Sequence, residues 1–187
     1  MKIKIIIICC CLILLFGCKK PPEPKNLYLG EVTRVVSGQA VEVILTGTSE
    51  VVKVRIAGID APDWRQSPWG EAAKQKLTEL VMGKAIKIEA ENLTRDYTHS
   101  SASPLGTLRD RYNRLLGHLW QDQTLISQEL LKSGCVLVND RDPHSYSKLL
   151  MESQEYARLM GYGIWNPKLA MRYTPSQFRS MNPQLIK

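Results

Sequence analysis

The chain has 187 residues, of which 44% are hydrophobic and 23% charged, so it can bury one ordinary core and is unlike disordered or fibrous sequences. Lys and Arg number 25 against 18 Asp and Glu, which gives a formal net charge of +7 at pH 7. This surplus is compatible with a polyanionic partner but does not identify one. We therefore expect one globular domain.

The N-terminal segment has the pattern of a leader sequence. Two lysines precede an unbroken apolar run of twelve residues, 5–16, which is shorter than the about 20 residues that span a bilayer and suits the apolar centre of a signal peptide. The run ends in Gly17-Cys18, which resembles the lipobox of bacterial lipoproteins. We expect residues 1–17 to be removed and Cys18 to carry lipid. The alternative is an uncleaved anchor or an internal apolar segment.

The cysteines and histidines predict neither a disulfide nor a zinc site. Three of the five cysteines lie inside the leader, and the fourth is Cys18, so only Cys135 remains in the domain. The three histidines, His99, His118 and His144, are widely separated in sequence and have no cysteine partners. We interpret all three as ordinary surface or core histidines.

A short proline-rich segment follows the leader. Residues 18–27 include the sequence KKPPEPK from Lys19 to Lys25, which cannot pack a core and should form an extended, semi-rigid tether. It would hold the domain, residues 28–166, away from the membrane, in the cell envelope facing the periplasm or the exterior. Residues 167–187 are expected to form a C-terminal tail.

The domain itself has the alternating pattern of short strands followed by helices. Gly-containing turn signals separate three β-type runs, and apolar residues recur at helical spacing in the segments after them. The predicted strands are 30–36, 40–45, 51–56, 84–91 and 114–120, and the predicted helices are 68–82, 125–133 and 147–160. This pattern favours an α+β, mainly β, fold, in which a five-stranded OB-type barrel carries three helices.

One long polar stretch interrupts this pattern. Residues 92–111 are rich in Ser, Thr and Asp and contain Pro104. A loop of that length in a compact domain is more often functional or mobile than structural.

Two local motifs narrow the fold to a family. Residues 54–63 read VRIAGIDAPD and resemble the arginine strand and D-x-P-E turn of the staphylococcal nuclease (thermonuclease) family. Residues 110–116 read DRYNRLL and resemble its second arginine motif, D-K-Y-G-R. The resemblance continues through the predicted helices to the Gly-Ile-Trp at 163–165, and it implies an OB-type barrel that binds nucleic acid.

The resemblance also implies a chemistry. In that family Ca²⁺ is held by carboxylates, a glutamate activates water, and two arginines clamp the scissile phosphate of DNA or RNA. Carried over by position, Arg55 and Arg114 are the two clamps, Asp60 is a metal carboxylate, and Ala61 offers its backbone carbonyl to the metal. Tyr112 is the tyrosine that remains for substrate binding. A hard cation with oxygen ligands and two phosphate-binding arginines suits phosphodiester hydrolysis.

The sequence departs from the family pattern at three places. Gln39 replaces a metal carboxylate, and its amide oxygen can ligate a cation but adds no negative charge. Asp63 stands where the general-base glutamate is expected, and it is one methylene shorter, although a base must come within about 2.6–3.2 Å of its proton donor. Residues 139–143 read NDRDP where the family has nucleotide-stacking tyrosines.

Three functions are compatible with these residues. The first is an exported, Ca²⁺-dependent nuclease with weakened activity, and the second is a catalytically inactive OB-fold lipoprotein that binds nucleic acid or a protein partner. The third is a structural envelope lipoprotein. Arg55, Asp60 and Arg114 favour the first two, although each alone has a simpler reading, such as Arg114 pairing with Asp110. Gln39 and the shorter carboxylate at the general-base position decide between a protein that cleaves nucleic acid and one that only binds it. We expect a monomer.

Overall fold

The computed structural model describes residues 27–91, 109–110, 112–139 and 144–183. The predicted leader, Cys18, nearly all of the tether, most of the 92–111 loop and residues 140–143 lie outside these ranges. Within them, no helix has the length and apolar character needed to cross a membrane.

A closed five-stranded barrel forms the centre of the domain, as the sequence predicted. Five strands follow one another in the order β3-β2-β1-β5-β6, and a parallel pairing between the third and sixth strands closes the sheet. A short seventh strand pairs antiparallel with the sixth, and the fourth and eighth strands form a separate two-stranded sheet. The strands are β1 (Leu27–Ser37), β2 (Ala40–Leu45), β3 (Val51–Ile56), β4 (Ile59–Asp60), β5 (Ala85–Ala90), β6 (Leu115–Gln121), β7 (Thr124–Leu125) and β8 (Leu137–Val138).

In the described part of the chain, four α-helices pack around the barrel or follow it, one more than predicted. They are α1 (Trp69–Val81), α2 (Ile126–Lys132), α3 (Ser147–Met160) and α4 (Pro175–Met181), with a 3-10 turn at Gly163–Trp165. The first three agree with the predicted helices to within about one residue. The fourth lies in the segment predicted as a tail, where the Thr174 hydroxyl accepts a hydrogen bond from the Gln177 N–H and the Gln177 side chain accepts one from the Thr174 N–H. This capping box accounts for a helix of only seven residues.

The alternation of side chains along β3 decides which residues face the core. Val52, Val54 and Ile56 are fully buried in the barrel, and each such side chain contributes about 1.5–3 kcal/mol by leaving water. Because successive side chains in a strand point to opposite faces, Arg55 faces away from that core. The same strand therefore anchors the barrel and presents a guanidinium on its other side.

Candidate functional site

The first clamp candidate, Arg55, is partly buried, and its side chain is hydrogen-bonded to the backbone. Its side chain is 12% exposed, and it donates to the carbonyl oxygens of Ile56 at 2.6 Å and Ile59 at 2.7 Å. Its Nη2 also lies 4.0 Å from the Asp60 Oδ1. These contacts bend the guanidinium over the turn that joins β3 to β4, so that Arg55 and Asp60 share one surface.

The electrostatics of Arg55 show which charges surround it. Burial lowers the pKa of Arg55 to about 10, Asp60 opposes that shift, and the positive charges of Arg114 and Arg179 add to it, while Asp110 opposes it. The guanidinium is still charged at neutral pH. The same surface therefore gathers side chains from β3, β4, the segment before β6, and α4.

Asp60 carries an ion pair that the sequence did not predict. Its Oδ2 accepts a hydrogen bond from Arg179 Nη2 at 2.7 Å, and Arg179 belongs to α4. A second contact holds the same segment in place, because the Gln66 side-chain amide donates to the Tyr173 carbonyl oxygen at 2.9 Å. The C-terminal segment is therefore docked on the surface that contains Arg55 and Asp60.

Gln39 bonds to the backbone of the site. Its Oε1 accepts a hydrogen bond from the Ala61 N–H at 2.6 Å, and its own carbonyl oxygen accepts one from the Ile56 N–H at 2.9 Å. Gly38 before it is packed tightly, since a Cβ there would lie 2.5 Å from the Ala73 Cβ. Gln39 thus joins the β1–β2 turn to the segment after β4, and the amide oxygen expected on a metal holds Ala61 instead.

Asp63, the predicted general base, is held by its neighbour Arg65. The Asp63 Oδ1 accepts from the Arg65 backbone N–H at 3.0 Å and from the Arg65 Nε at 2.9 Å. Burial opposes ionisation of this carboxyl, but the hydrogen bonds from Arg65 outweigh it and hold the pKa of Asp63 below its ordinary value. The carboxylate is ionised at neutral pH, and its low basicity makes it a weak proton acceptor.

The second clamp candidate, Arg114, is paired with Asp110. Its Nε and Nη2 donate to the Asp110 Oδ2 at 2.8 and 2.6 Å, and its guanidinium carbon lies 5.1 Å from the centre of the Tyr112 ring. The Tyr112 side chain is half-exposed. Asn113, with φ of 58°, forms the tight turn that allows Asp110 and Arg114 to meet. The simpler reading of Arg114, as the partner of Asp110, describes this arrangement.

The comparisons with known proteins identify the family. Residues 53–167 match the sequence profile described as "Staphylococcal nuclease homologue". The chain belongs to the staphylococcal nuclease family. The match runs from β3 to the 3-10 turn, so it includes both arginine motifs and the Asp60–Asp63 turn.

Three relatives illustrate how similar other members are. An "Uncharacterized endonuclease" of Haemophilus influenzae is 27% identical over 135 residues, which are 72% of this chain and 64% of that protein. Endonuclease YncB of Bacillus subtilis is 26% identical over 127 residues, 65% of this chain and 53% of that protein. Protein ParB of Escherichia coli is 30% identical over 99 residues, 53% of this chain and 45% of that protein. The chain spans less than two thirds of the length of each.

The staphylococcal nuclease site of this chain does not fit Ca²⁺ as it is arranged here. Calcium takes six to eight oxygen ligands at about 2.3–2.6 Å, with carboxylates supplying the charge. Asp60 is the carboxylate among the three predicted metal ligands, and Arg179 and Arg55 already balance its charge. The Gln39 oxygen is bonded to the Ala61 N–H. A cation there would replace Arg179, and we derive no catalytic step through it.

Several residues that shape this site were not predicted from the sequence. Arg65 follows Asp63 by two positions, and this spacing was the one local signal that could have indicated the pair. Arg179 gave no such signal, because its partner lies 119 residues away, and the contact of Gln66 with Tyr173 spans 107 residues. His118 and His144 were interpreted as ordinary histidines, but the fold brings both close to Glu91.

Proposed function

We propose that this member of the staphylococcal nuclease family hydrolyses phosphodiester bonds of DNA or RNA at the surface formed by Arg55, Asp60, Asp63 and Arg114. The observation that supports this proposal is the contact of Arg55 with Asp60, whose Nη2 and Oδ1 are 4.0 Å apart, with Arg114 and Asp110 near enough for their charges to act on the pKa of Arg55. Guanidinium groups bind phosphate, and a carboxylate can accept a proton. This surface supplies both kinds of group.

The two arginines have different roles in this proposal. Arg55 is fixed by backbone carbonyls and remains charged, so it is preorganised to stabilise negative charge on a phosphoryl group. Arg114 is held by a single carboxylate at the surface, and a phosphate can take over its two donors from Asp110. Asp63 is the proton acceptor, and Arg65 keeps its basicity low, which predicts slow turnover.

Access to Asp60 is the second element of the proposal. Arg179 pairs with this carboxylate, so a divalent cation that binds Asp60 must first displace the Arg179 guanidinium. We therefore propose that the arrangement with α4 docked is a closed form of the nuclease. Any dependence on Ca²⁺ belongs to a form in which Arg179 has left Asp60.

The decisive experiment compares two arginine variants in a digestion of labelled single-stranded DNA, with Ca²⁺ or with a chelator. We expect the wild-type protein to cleave slowly, and Arg114→Ala to lose about 100-fold or more in rate, as the loss of a group that stabilises transition-state charge does. Arg34→Ala is the matched control, because Arg34 also pairs with a carboxylate, Glu42, but on exposed β1. Equal loss in both variants, or unchanged cleavage in Arg114→Ala, would contradict the assignment.

A second candidate function is binding of nucleic acid without cleavage. The hydrogen bonds of Arg65 to Asp63 and of Ala61 to Gln39 favour it, because they engage the groups expected for the base and the metal. If this function is right, the digestion gives no product in Ca²⁺ or in chelator. Fluorescence anisotropy would show that the same labelled DNA binds, and that Arg114→Ala binds it more weakly.

We also propose that the protein is exported and anchored to a membrane through lipid on Cys18. The support is the sequence alone, namely the twelve-residue apolar run and the Gly17-Cys18 that ends it. A nuclease in the cell envelope would meet nucleic acid outside the cytoplasm.

A further inference from the structure

A cluster of metal-ligating side chains lies outside the phosphate site. Glu91 follows the end of β5, His118 lies in β6, and His144 precedes α3. One candidate ligand atom from each lies within 4.8 Å of the other two. We propose that Glu91, His118 and His144 form a binding site for a divalent transition-metal ion, with Zn²⁺ as the best match.

The separations in the cluster are close to those of a zinc site. Zinc binds imidazole nitrogen and carboxylate oxygen at about 2.0–2.2 Å in tetrahedral geometry, so two ligand atoms lie about 3.3 Å apart. The Glu91 Oε1 and His118 Nε2 are 2.7 Å apart as a hydrogen bond, and the ring centroids of His118 and His144 are 4.8 Å apart. Side-chain rotations that move the ligand atoms by about 1 Å would bring them to the spacing of zinc ligands.

His118 is a buried imidazole whose hydrogen bonding is incomplete. Its side chain is 0% exposed, and its Nδ1 has no hydrogen-bond partner among the residues that the structure describes. Buried polar nitrogens are nearly always paired, because an unpaired one costs free energy. Because the Glu91 carboxylate contacts Nε2, the unpaired Nδ1 lies on another edge of the ring, and the clustering of the three side chains alone carries the proposed site.

The position of His144 depends on a glycine in the neighbouring turn. A Cβ on Gly58 would lie 2.6 Å from the His144 Nε2, and Gly58 has φ of 74°, so a side chain there would both clash and strain the turn. The His144 Nδ1 accepts from the Tyr146 N–H at 3.2 Å. A neutral imidazole has one lone pair, so a metal on Nε2 replaces this long hydrogen bond.

The ligand set favours a transition metal over calcium. Two imidazoles and one carboxylate suit Zn²⁺, whereas Ca²⁺ takes oxygen ligands. Three protein ligands also leave a fourth position for water, which half-buried Glu91 and His144 can admit.

The location links this site to the phosphate surface without sharing residues with it. His144 packs against Gly58, and Gly58 lies two positions before Asp60. A metal on the three residues would link the end of β5 and the middle of β6 to the segment before α3, behind the Asp60 turn. The expected effect is stabilisation of the fold by bound ion.

The test is a zinc titration of the full chain in a background with all five cysteines replaced by serine, so that thiolates do not compete. We expect one equivalent of Zn²⁺ in competition with a chromophoric chelator, and affinity at least tenfold weaker in His144→Asn and in Glu91→Gln. Asn at 144 can still accept the Tyr146 N–H through its side-chain oxygen. Glu152→Gln, on the exposed side of α3, is the matched control and should bind as the background does.

Thermal unfolding provides an independent reading. Zinc should raise the Tm of the background protein and of Glu152→Gln, and leave the Tm of His144→Asn nearly unchanged. Equal zinc affinity in the background and in both ligand variants would overturn the proposal. So would the absence of binding to the folded background protein at millimolar zinc. Neither readout depends on cleavage of nucleic acid.

Discussion

The Arg179 Nη2 lies 2.7 Å from the Asp60 Oδ2, although the two residues are 119 positions apart in sequence. Arg179 thus places a fixed positive charge on the carboxylate that the family resemblance assigns to a cation. The Asp60 carboxylate cannot pair fully with the Arg179 guanidinium and a divalent cation at once. Docking of α4 and binding of a divalent ion at Asp60 therefore oppose each other. This opposition is specific enough to be tested.

Replacement of Arg179 should therefore increase the response to calcium. In Arg179→Gln we expect the Ca²⁺ concentration for half-maximal effect, on cleavage or on Tm, to fall about fivefold, equivalent to a partly exposed ion pair of about 1 kcal/mol. Arg172→Gln, three residues before α4 begins, removes a charge from the same segment and should change nothing. An unaltered calcium response in Arg179→Gln would show that α4 does not control Asp60.

The pair of Asp63 and Arg65 predicts a shift in pH dependence. In the wild type the pKa of Asp63 is below its ordinary value. The ionised carboxylate and its pair with Arg65 therefore stabilise the fold fully above the unfolded-state pKa. This stabilisation is lost as pH falls through the lower folded-state pKa. Arg65→Gln should raise that pKa and move the acidic limb of the rate profile to higher pH. NMR titration of the Asp63 carboxyl gives the direct measurement, and an unmoved pKa would exclude Arg65 as the cause.

Gln39 should contribute to stability through Ala61. Gln39→Met removes the acceptor and leaves the backbone N–H of buried Ala61 without its partner. We expect the free energy of unfolding to fall by about 1–3 kcal/mol. Gln39→Glu has the same length and keeps an acceptor oxygen, so it is the matched control for the hydrogen bond. Urea unfolding measures both, and equal stability of Gln39→Met and wild type would contradict this role.

Release of Arg114 should strengthen binding of nucleic acid. Asp110→Asn removes the charge that competes with phosphate for the guanidinium, and we expect the affinity for single-stranded DNA to increase several-fold, with a steeper dependence on salt. Glu42→Gln releases Arg34 on β1 in the same way and serves as the control. If both variants gain equally, the effect comes from net charge and not from the position of Arg114.

The lipid anchor can be tested by metabolic labelling with a fatty acid. We expect label on the wild-type protein and none on Cys18→Ser, while Cys135→Ser, which alters the half-buried cysteine of the domain, keeps it. An unlabelled wild-type protein in the soluble fraction would remove the proposed tether.

The local pattern of the sequence was sufficient to predict the barrel. Alternation along residues 51–56, helical spacing along 68–82 and 147–160, and Gly-containing turns between strands are encoded by neighbours a few positions apart. The structure confirms these elements and the five-stranded barrel, and the comparisons confirm the family. The fourth helix was missed because its capping box at Thr174 lies in a polar segment with no apolar periodicity.

The state of the candidate site was decided by the tertiary structure. The sequence placed Arg55, Asp60 and Arg114 in order, and their assigned roles stay predictions. No local pattern indicates that Arg179 pairs with Asp60, because the ion pair forms only when α4 packs against the segment that contains Asp60. The meeting of Glu91, His118 and His144 likewise follows from pairing of β5 with β6 and packing against Gly58. Short-range geometry is encoded in sequence spacing, whereas charge pairing and ligand clustering between distant residues depend on how the whole chain folds back on itself.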